Sequence, residues 1–229
     1  MEDHRRGAIR DGLGVGVAVG VSGLAFGAAA ATAGLTVAQA CVLSLFAFTG
    51  ASQFALTGVI AGGGALLPGV AGALLLGARN SMYGLRLADL LRTGSVWRRL
   101  VTTQGVIDES TAVALKQPTP DSSRTGFYVT FAAVYVAWNL TTFVGAVGAS
   151  QVADPAAFGL DVVGPATFLA ILWPRLADRR LRLVAGCGAA IALATTPFLP
   201  PGVPVLLAAL AVLAGWTSSP ATVEAGDAR

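Results

Sequence analysis

Residues 12–78 read GLGVGVAVG VSGLAFGAAA ATAGLTVAQA CVLSLFAFTG ASQFALTGVI AGGGALLPGV AGALLLGA, with no Asp, Glu, Lys or Arg among them. One helical crossing of a bilayer needs about 20 apolar residues, so a charge-free run of this length predicts several membrane passages. Turn-forming residues interrupt the run around Gly34 and again at 62–64, shortly before Pro68. The run therefore predicts three apolar segments, at about 12–33, 37–61 and 66–91.

The composition of the whole chain agrees with a membrane protein. Of the 229 residues, 55% are hydrophobic and only 12% are charged, and the mean hydropathy is +0.71. Soluble domains carry about 25% charged residues, so a soluble enzyme is disfavoured, as is a disordered chain. The net charge of +3, split into small clusters, also disfavours a nucleic-acid partner. The fold class predicted is all-α, polytopic and membrane-embedded.

The remaining apolar runs complete a single permease domain at about 12–218. They predict helices at about 126–150, 156–175, 182–198 and 203–218. A polar N-terminal tail at 1–11, a loop at 92–124 and a polar C-terminal tail at 219–229 surround them. The basic start of the chain also fits a secretory signal, but further apolar segments follow at once, which favours a first membrane helix.

The basic residues predict the orientation in the cytoplasmic membrane. They cluster before the first segment, in the loop 92–124 and between 175 and 182, and such clusters face the cytoplasm. If all three do, an even number of crossings precedes residue 92, although three apolar segments are present. One solution has a cytoplasmic N-terminus and about six crossings, with segment 37–61 broken or re-entrant. The alternative has seven crossings and an N-terminus outside.

The middle of segment 37–61 favours the broken solution. Thr49-Gly50-Ala51-Ser52-Gln53 places a helix-weak glycine and hydrogen-bonding side chains within apolar sequence. Non-helical backbone at membrane depth is tolerated inside protein or beside a water-filled cavity, and many secondary transporters build substrate sites from such discontinuous helices. The alternative is a continuous helix whose Ser52 and Gln53 bond a neighbouring helix.

Arg79 is the most informative polar residue. In a continuous helix from 66 to 91 it would lie near the membrane midplane, where an unpaired arginine costs about 2.5–3.5 kcal/mol. We expect a carboxylate, backbone carbonyls or a substrate anion as its partner, with Asn80 beside it and Tyr83 one turn further along the same face. The alternative is that Arg79 extends to the membrane surface.

Other polar residues have two interpretations each. Asp161 could pair with Arg79, hold a substrate ammonium or carry a proton, or it could be an acid at a helix N-terminus. Asn139 is either a substrate ligand or a hydrogen-bonding contact between helices. Asp108 and Glu109 are adjacent acids that lie either in the predicted loop, where such a pair is usually solvated, or in a helix on the membrane face.

Small residues at four-residue spacing predict close helix packing. Gly12, Gly16 and Gly20 form one stripe, and Gly69, Ala73 and Gly77 form another. Such stripes let two helices approach closely. The partners could be helices of this chain or of a second subunit.

Several function classes lack the residues that they need. His4, in the tail, is the single histidine, and the two cysteines lie in apolar runs, so neither a metal site nor a cofactor is expected. An intramembrane protease would need a base or a close pair of acids, and no phosphate-binding loop is present. We therefore expect no enzyme. A secondary transporter of a small solute is favoured, with a scaffold subunit as the alternative.

Four motifs then resemble AzlC-type permeases, the large subunits of branched-chain amino acid exporters. They are Gly50-Ala51-Ser52-Gln53-Phe54, the segment 78–84 (ARNSMYG), Asp108-Glu109, and Gly159-Leu160-Asp161. The resemblance runs over about residues 8–218. It implies export of leucine, isoleucine and valine, with methionine as a further candidate, driven by an ion gradient. It also implies a small AzlD-type membrane subunit as a partner.

The polar residues within the apolar segments and the family resemblance together give one hypothesis for the site. Gly50, Ser52, Gln53 and Arg79 bind the substrate carboxylate, with Asn80 and Tyr83 alongside. Asn139 or Asp161 takes the ammonium, and Phe54 accepts the aliphatic tail. Asp161 is also the candidate for coupled protonation. The alternatives are a scaffold or assembly subunit, or a transporter of another small amphipathic solute.

Overall fold

The computed structural model describes residues 2–91, 94–152, 159, 162, 166, 169–170, 172–199 and 202–213. Every regular element in these ranges is helical, which confirms the all-α class. The chain divides into two compact units, Met1–Thr167 and Phe168–Arg229.

The first unit contains α1 to α9 in its described part. Their bounds are α1 Glu2–Gly20, α2 Ser22–Thr32, α3 Val37–Phe46, α4 Ala51–Ala61, α5 Leu66–Gly77, α6 Arg79–Leu87, α7 Val96–Gln104, α8 Asp108–Lys116 and α9 Pro120–Ser150.

Within the described ranges, two stretches are long and apolar enough to cross a membrane. One is Glu2–Thr32, which joins α1 and α2 through Val21, and the other is α9; each has 31 residues. Among the described residues, shorter apolar helices lie at Val37–Phe46, Ala51–Ala61 and Val203–Leu213. The helical class is thus established, whereas the predicted number of crossings stays a prediction.

The glycine stripe of the first helix packs against α9 of the same chain. A Cβ added to Gly16 would collide with Ala133, and one added to Gly20 would collide with Ala137. The Thr141 hydroxyl donates a hydrogen bond of 2.6 Å to the Gly20 carbonyl. Because the backbones approach this closely, the stripe has an internal partner.

The second stripe has an internal partner as well. At Gly69 of α5, an added Cβ would lie 3.1 Å from side-chain atoms of Leu56 and Val59, both on α4. The α4 and α5 helices therefore form a packed pair joined by the glycine-rich turn at 62–65, where Gly63 adopts a positive φ of 70°.

Segment 37–61 is broken, as the sequence predicts. α3 ends at Phe46 and α4 begins at Ala51. Gly50, the residue before α4, has φ +54°, a conformation that glycine adopts without the strain a Cβ would bring. Ser52 and Gln53, predicted to lie in the break, are helical residues in the first turn of α4.

Three predicted boundaries are wrong. The first helix begins at Glu2 rather than residue 12, and the predicted helix 66–91 is divided at Ala78 into α5 and α6. The predicted loop 92–124 contains α7, α8 and the start of α9. Helix α9 begins early because the Thr119 hydroxyl accepts a hydrogen bond from the Ser122 amide, an N-cap that Pro120 follows at the first helical position.

The second unit is described in two main ranges. It contains a 3₁₀ helix at Trp173–Ala177, then α10 Arg179–Thr195 and α11 Val203–Ala208. Asp178 caps α10, since its Oδ1 accepts a hydrogen bond of 2.7 Å from the Arg180 amide. Most of the predicted helix 156–175 and all of the tail 219–229 lie outside the described residues.

Candidate functional site

A cavity of about 890 Å³ lies beside the helix break in the first unit. Its wall is formed by the end of α3 and the break, by α6, and by α7. The polar or aromatic residues that line it are Phe46, Phe48, Thr49, Asn80, Ser81, Arg99, Thr102, Thr103 and Gln104. Because Leu85, Ala88, Leu91 and Val106 also line it, the cavity offers both hydrogen-bonding and apolar surface.

The break is held by side chains from distant parts of the chain. The Gln104 amide donates hydrogen bonds to the carbonyls of Leu45 and Phe46, at 2.9 and 3.3 Å. The Tyr135 hydroxyl donates to the Leu45 carbonyl at 3.3 Å. These carbonyls belong to the last turn of α3. The last carbonyl groups of a helix have no hydrogen-bond donor within that helix. Gln104 and Tyr135 thus satisfy backbone groups that the break exposes.

Gln53 holds the break from within the segment itself. Its Nε2 donates to the Leu43 carbonyl at 3.2 Å, and its Oε1 accepts from the Gly50 amide at 3.2 Å. The side chain is 1% exposed. It therefore bridges α3 to α4 across the break, and both ends of its amide are engaged with backbone.

Ser52 is buried with an unsatisfied hydroxyl. Its Oγ has no hydrogen-bond partner among the described residues, and the residue is 7% exposed. A Cβ added to Gly77 would lie 3.5 Å from this Oγ, and Gly77 lines the cavity. The hydroxyl thus lies directly behind the cavity wall, and buried hydroxyls of this kind normally have a partner.

Arg79 forms an ion pair with Asp108, a residue predicted to be solvated. The Arg79 Nη2 and Asp108 Oδ2 atoms are 2.5 Å apart, with the side chains 41% and 33% exposed. The interpretation of Asp108 as a solvated loop residue is therefore wrong, because α8 brings this acid to the start of α6. The sequence predicts a negatively charged partner for Arg79, and Asp108 of the same unit is that partner.

The carboxyl group of Glu109 has a pKa displaced from its ordinary value. Burial raises the pKa of its carboxyl group, and the neighbouring Asp108 charge raises it further. A hydrogen bond with its own backbone and the Arg79 charge act in the opposite direction. Helix α8, which carries this group, lies outside the two candidate membrane spans. The expectation that Glu109 is simply solvated is wrong.

Phe54 lies in a buried aromatic cluster rather than on the cavity wall. Its ring centroid is 5.6 Å from that of Phe26 and 6.4 Å from that of Trp138, and the residue is 3% exposed. The cluster packs α2, α4 and α9 together behind the break. This placement gives Phe54 a packing role.

The other predicted site residues are dispersed. Asn80 lines the cavity. Tyr83 packs against the buried cluster around Leu87 and Phe127. Asn139 donates a hydrogen bond to the Tyr135 carbonyl of its own helix at 2.8 Å, and its Oδ1 is buried without a partner in the described ranges. Asp161 lies outside the described residues.

Arg99, Gln104 and Tyr135 are among the cavity and break residues that the sequence does not predict. Nothing in their local pattern marks them, since their contacts are made with residues far away in the chain. No group of three or more His, Cys, Asp or Glu side chains that could hold a metal occurs within the part of the chain that the structure describes.

A protein-family comparison identifies the chain. The family model described as AzlC protein matches residues 14–152, more than half of the 229 residues and the part that contains the break, the cavity and the ion pair. No curated protein and no solved structure is significantly similar to the chain. The AzlC family consists of membrane transporters. The resemblance found in the sequence is confirmed, and the chain belongs to the AzlC family.

Proposed function

We propose that this chain is the large subunit of a secondary transporter that exports branched-chain amino acids, with methionine as a further candidate. The substrate path passes through the cavity beside the helix break. The observation that carries this proposal is the position of an 890 Å³ cavity against interrupted backbone. Discontinuous helices form the substrate sites of many secondary transporters, and ligand pockets typically measure about 300–1,000 Å³.

The lining supports a small amphipathic solute. Asn80, Ser81 and Thr49 present hydrogen-bonding groups, whereas Leu85 and Val106 present aliphatic surface. An amino acid with a branched aliphatic tail needs both kinds of surface. Another small amphipathic solute has the same needs, and the transport experiment below separates the two.

The first turn of α4 supports a polar contact with the substrate. The first N–H groups of a helix lack partners within the helix and carry partial positive charge. In α4 these groups adjoin the unsatisfied Ser52 hydroxyl. We place the substrate carboxylate near this turn, as the sequence hypothesis does, once the substrate has moved into the cavity.

Arg79 takes an indirect role in this proposal. Its charge is already neutralised by Asp108, so direct binding of a carboxylate would require Asp108 to be displaced. We propose instead that the pair holds α6, a wall of the cavity, against α8. The roles of Asn139 as a ligand and of Asp161 in ion coupling stay predictions.

The remaining parts of the proposal follow from the charge distribution and the family. The basic clusters support a cytoplasmic position for the N-terminus and the α7–α8 region. The family supports a small AzlD-type membrane subunit as the partner. Coupling to an ion gradient would drive export.

Export of labelled leucine tests the proposal. Cells preloaded with a leucine-containing dipeptide should release leucine faster when this chain and its small subunit are coexpressed. Arg79→Ala should slow release several-fold because α6 loses its anchor on α8. Arg6→Ala is the matched control, since it breaks the Arg6–Glu2 pair, whose side chains are 76% and 82% exposed.

Equal leucine release with and without the two subunits would contradict the proposed substrate. Release of another solute in the same cells would then favour the alternative substrate class. Wild-type release from a correctly folded Arg79→Ala protein, verified by size-exclusion chromatography, would contradict the role of the ion pair and favour a scaffold subunit.

A further inference from the structure

The sequence suggests Arg79 as the cationic residue of the site, but a different arginine lines the cavity. Among the described residues that line the cavity, Arg99 alone has a charged side chain. Arg79 does not line it and is paired with Asp108. Arg99 belongs to none of the three ion pairs found in the described ranges, which join Arg6 to Glu2, Arg79 to Asp108, and Arg124 to Asp121.

The helix that carries Arg99 is anchored through its other polar groups. Gln104, at the end of α7, bonds the carbonyls of the break. The Thr102 hydroxyl is 3.2 Å from the Tyr128 hydroxyl, and the Thr103 hydroxyl donates to the Arg99 carbonyl at 2.8 Å. The backbone of α7 is thereby fixed against α3 and α9, while the Arg99 side chain is exposed.

We propose that Arg99 captures the substrate carboxylate at the mouth of the cavity and selects for solutes that carry one. This inference rests on the proposed function, and it assigns the first binding event to a residue outside the predicted site. An exposed guanidinium that forms no ion pair within the described ranges offers two parallel N–H donors to a carboxylate. With α7 on the cytoplasmic side, Arg99 stands where an exporter takes up its substrate.

Neighbouring Arg98 supplies a matched control. It precedes Arg99 on the same helix, is also exposed, and carries the same charge, but it does not line the cavity. Any effect of net charge, of folding of α7 or of binding to anionic lipid headgroups should therefore be shared by Arg98→Gln and Arg99→Gln. An effect on carboxylate capture should be confined to Arg99.

The experiment measures labelled leucine uptake into inside-out membrane vesicles that contain this chain and its small subunit. Arg99→Gln should raise the KM for leucine by at least about tenfold, because the charge-assisted pair of hydrogen bonds to the carboxylate is lost, with little change in the maximal rate. Arg98→Gln should keep the wild-type KM. Arg99→Lys should give an intermediate KM, because a point charge replaces the planar donor pair.

Competition with substrate analogues adds a readout of specificity. 4-Methylpentanoate, which has the carboxylate but no ammonium, should inhibit wild-type and Arg98→Gln uptake and lose most of its inhibition with Arg99→Gln. Leucinamide, which lacks the carboxylate, should inhibit the wild type about tenfold less strongly than unlabelled leucine. This last comparison needs no variant, so equal inhibition by leucinamide and leucine would contradict selection for a carboxylate even if Arg99→Gln fails to fold.

Three outcomes would overturn the inference. They are an unchanged KM in Arg99→Gln, an equal rise of KM in both arginine variants, and equal inhibition of the wild type by leucinamide and leucine. An equal rise in both variants that follows the anionic lipid content of the vesicles would assign Arg99 to the membrane surface. If wild-type vesicles take up no leucine, the proposed function fails instead, which is a separate result.

Discussion

Glu109 is half-buried in the first turn of α8, directly after the ion-paired Asp108. Burial raises the pKa of its carboxyl group, so the folded chain binds this proton more tightly than the unfolded chain does. The free energy of unfolding must then decrease as the pH rises through the interval that begins at the ordinary glutamate pKa, about 4.3. Above that interval the charged carboxylate destabilises the folded state.

We predict that Glu109→Gln removes this part of the pH dependence. The variant should be at least as stable as the wild type at pH 7, and its stability should fall less between about pH 4.3 and neutrality. Thermal unfolding in detergent over that range measures both effects.

Glu2→Gln serves as the control for Glu109→Gln, because the side chain of Glu2 is 82% exposed. It removes a carboxylate that the fold does not bury, so an equal change of the pH profile in Glu2→Gln and Glu109→Gln would contradict an effect of burial. Superimposable pH profiles of Glu109→Gln and the wild type would show that burial does not raise the pKa of this carboxyl group.

The helices of the first unit are held together by contacts between residues that are distant in sequence. Gly12, Gly16 and Gly20 form a local pattern along α1, but the helix that they let approach closely is α9. The end of α3 is likewise satisfied by Gln104 and Tyr135, which come 59 and 90 positions after Leu45. The first partner is marked by a repeat in the sequence, and the second is not.

We predict that Gly20→Ala and Gly14→Ala act in opposite directions on stability. An added methyl at Gly20 collides with Ala137, whereas one at Gly14 meets nothing within 4 Å. Gly20→Ala should destabilise the chain by about 1–3 kcal/mol. Gly14→Ala should stabilise α1 by about 0.5–1 kcal/mol. Chemical unfolding in detergent measures both, and equal effects would exclude close α1–α9 packing.

We predict that Gln104→Glu weakens the helix break without changing side-chain size. The carboxylate cannot donate to the carbonyls of Leu45 and Phe46, so two hydrogen bonds are lost, each contributing about 0.5–1.5 kcal/mol. Amide hydrogen exchange of residues 47–50 should become faster. Gln117→Glu is the control, because Gln117 contacts Asp11 rather than the break. Unchanged exchange at 47–50 would show that Gln104 does not hold the break.

The sequence predicts the features that local composition encodes. The charge-free run, the Gly50 break and the glycine stripe are visible in neighbouring residues, and each is found in the structure. The helices of the 92–124 region are missed because its many charges resemble a loop. The Arg79–Asp108 pair and the Gln104 cap are missed because they join residues 29 and 59 positions apart, which a single sequence does not reveal.

The topology of the whole molecule depends on how segment 37–61 meets the membrane. In the part of the chain that the structure describes, two helical stretches are long enough to cross by themselves, and α3 and α4 are each too short. The six-crossing solution places residues 1–11 in the cytoplasm, whereas the seven-crossing solution places them outside. The turn at 62–65 is outside in both.

We predict that a cysteine at His4 is protected in intact cells and that one at Ala65 is labelled. Both residues are exposed, and Cys41 and Cys187 are first replaced by alanine. A membrane-impermeant maleimide should modify Ala65→Cys at once and His4→Cys after permeabilisation. Ala65→Cys thus reports that the reagent reaches the outer face. Labelling of His4→Cys in intact cells would establish the seven-crossing alternative.

Gln104 caps the end of α3 and also forms part of the cavity wall. We expect a solute that displaces α7 to remove the Gln104 donors from the carbonyls of Leu45 and Phe46, while Tyr135 and Gln53 keep their hydrogen bonds to the same turn of α3. Widening of the cavity would then partly uncap the discontinuous helix.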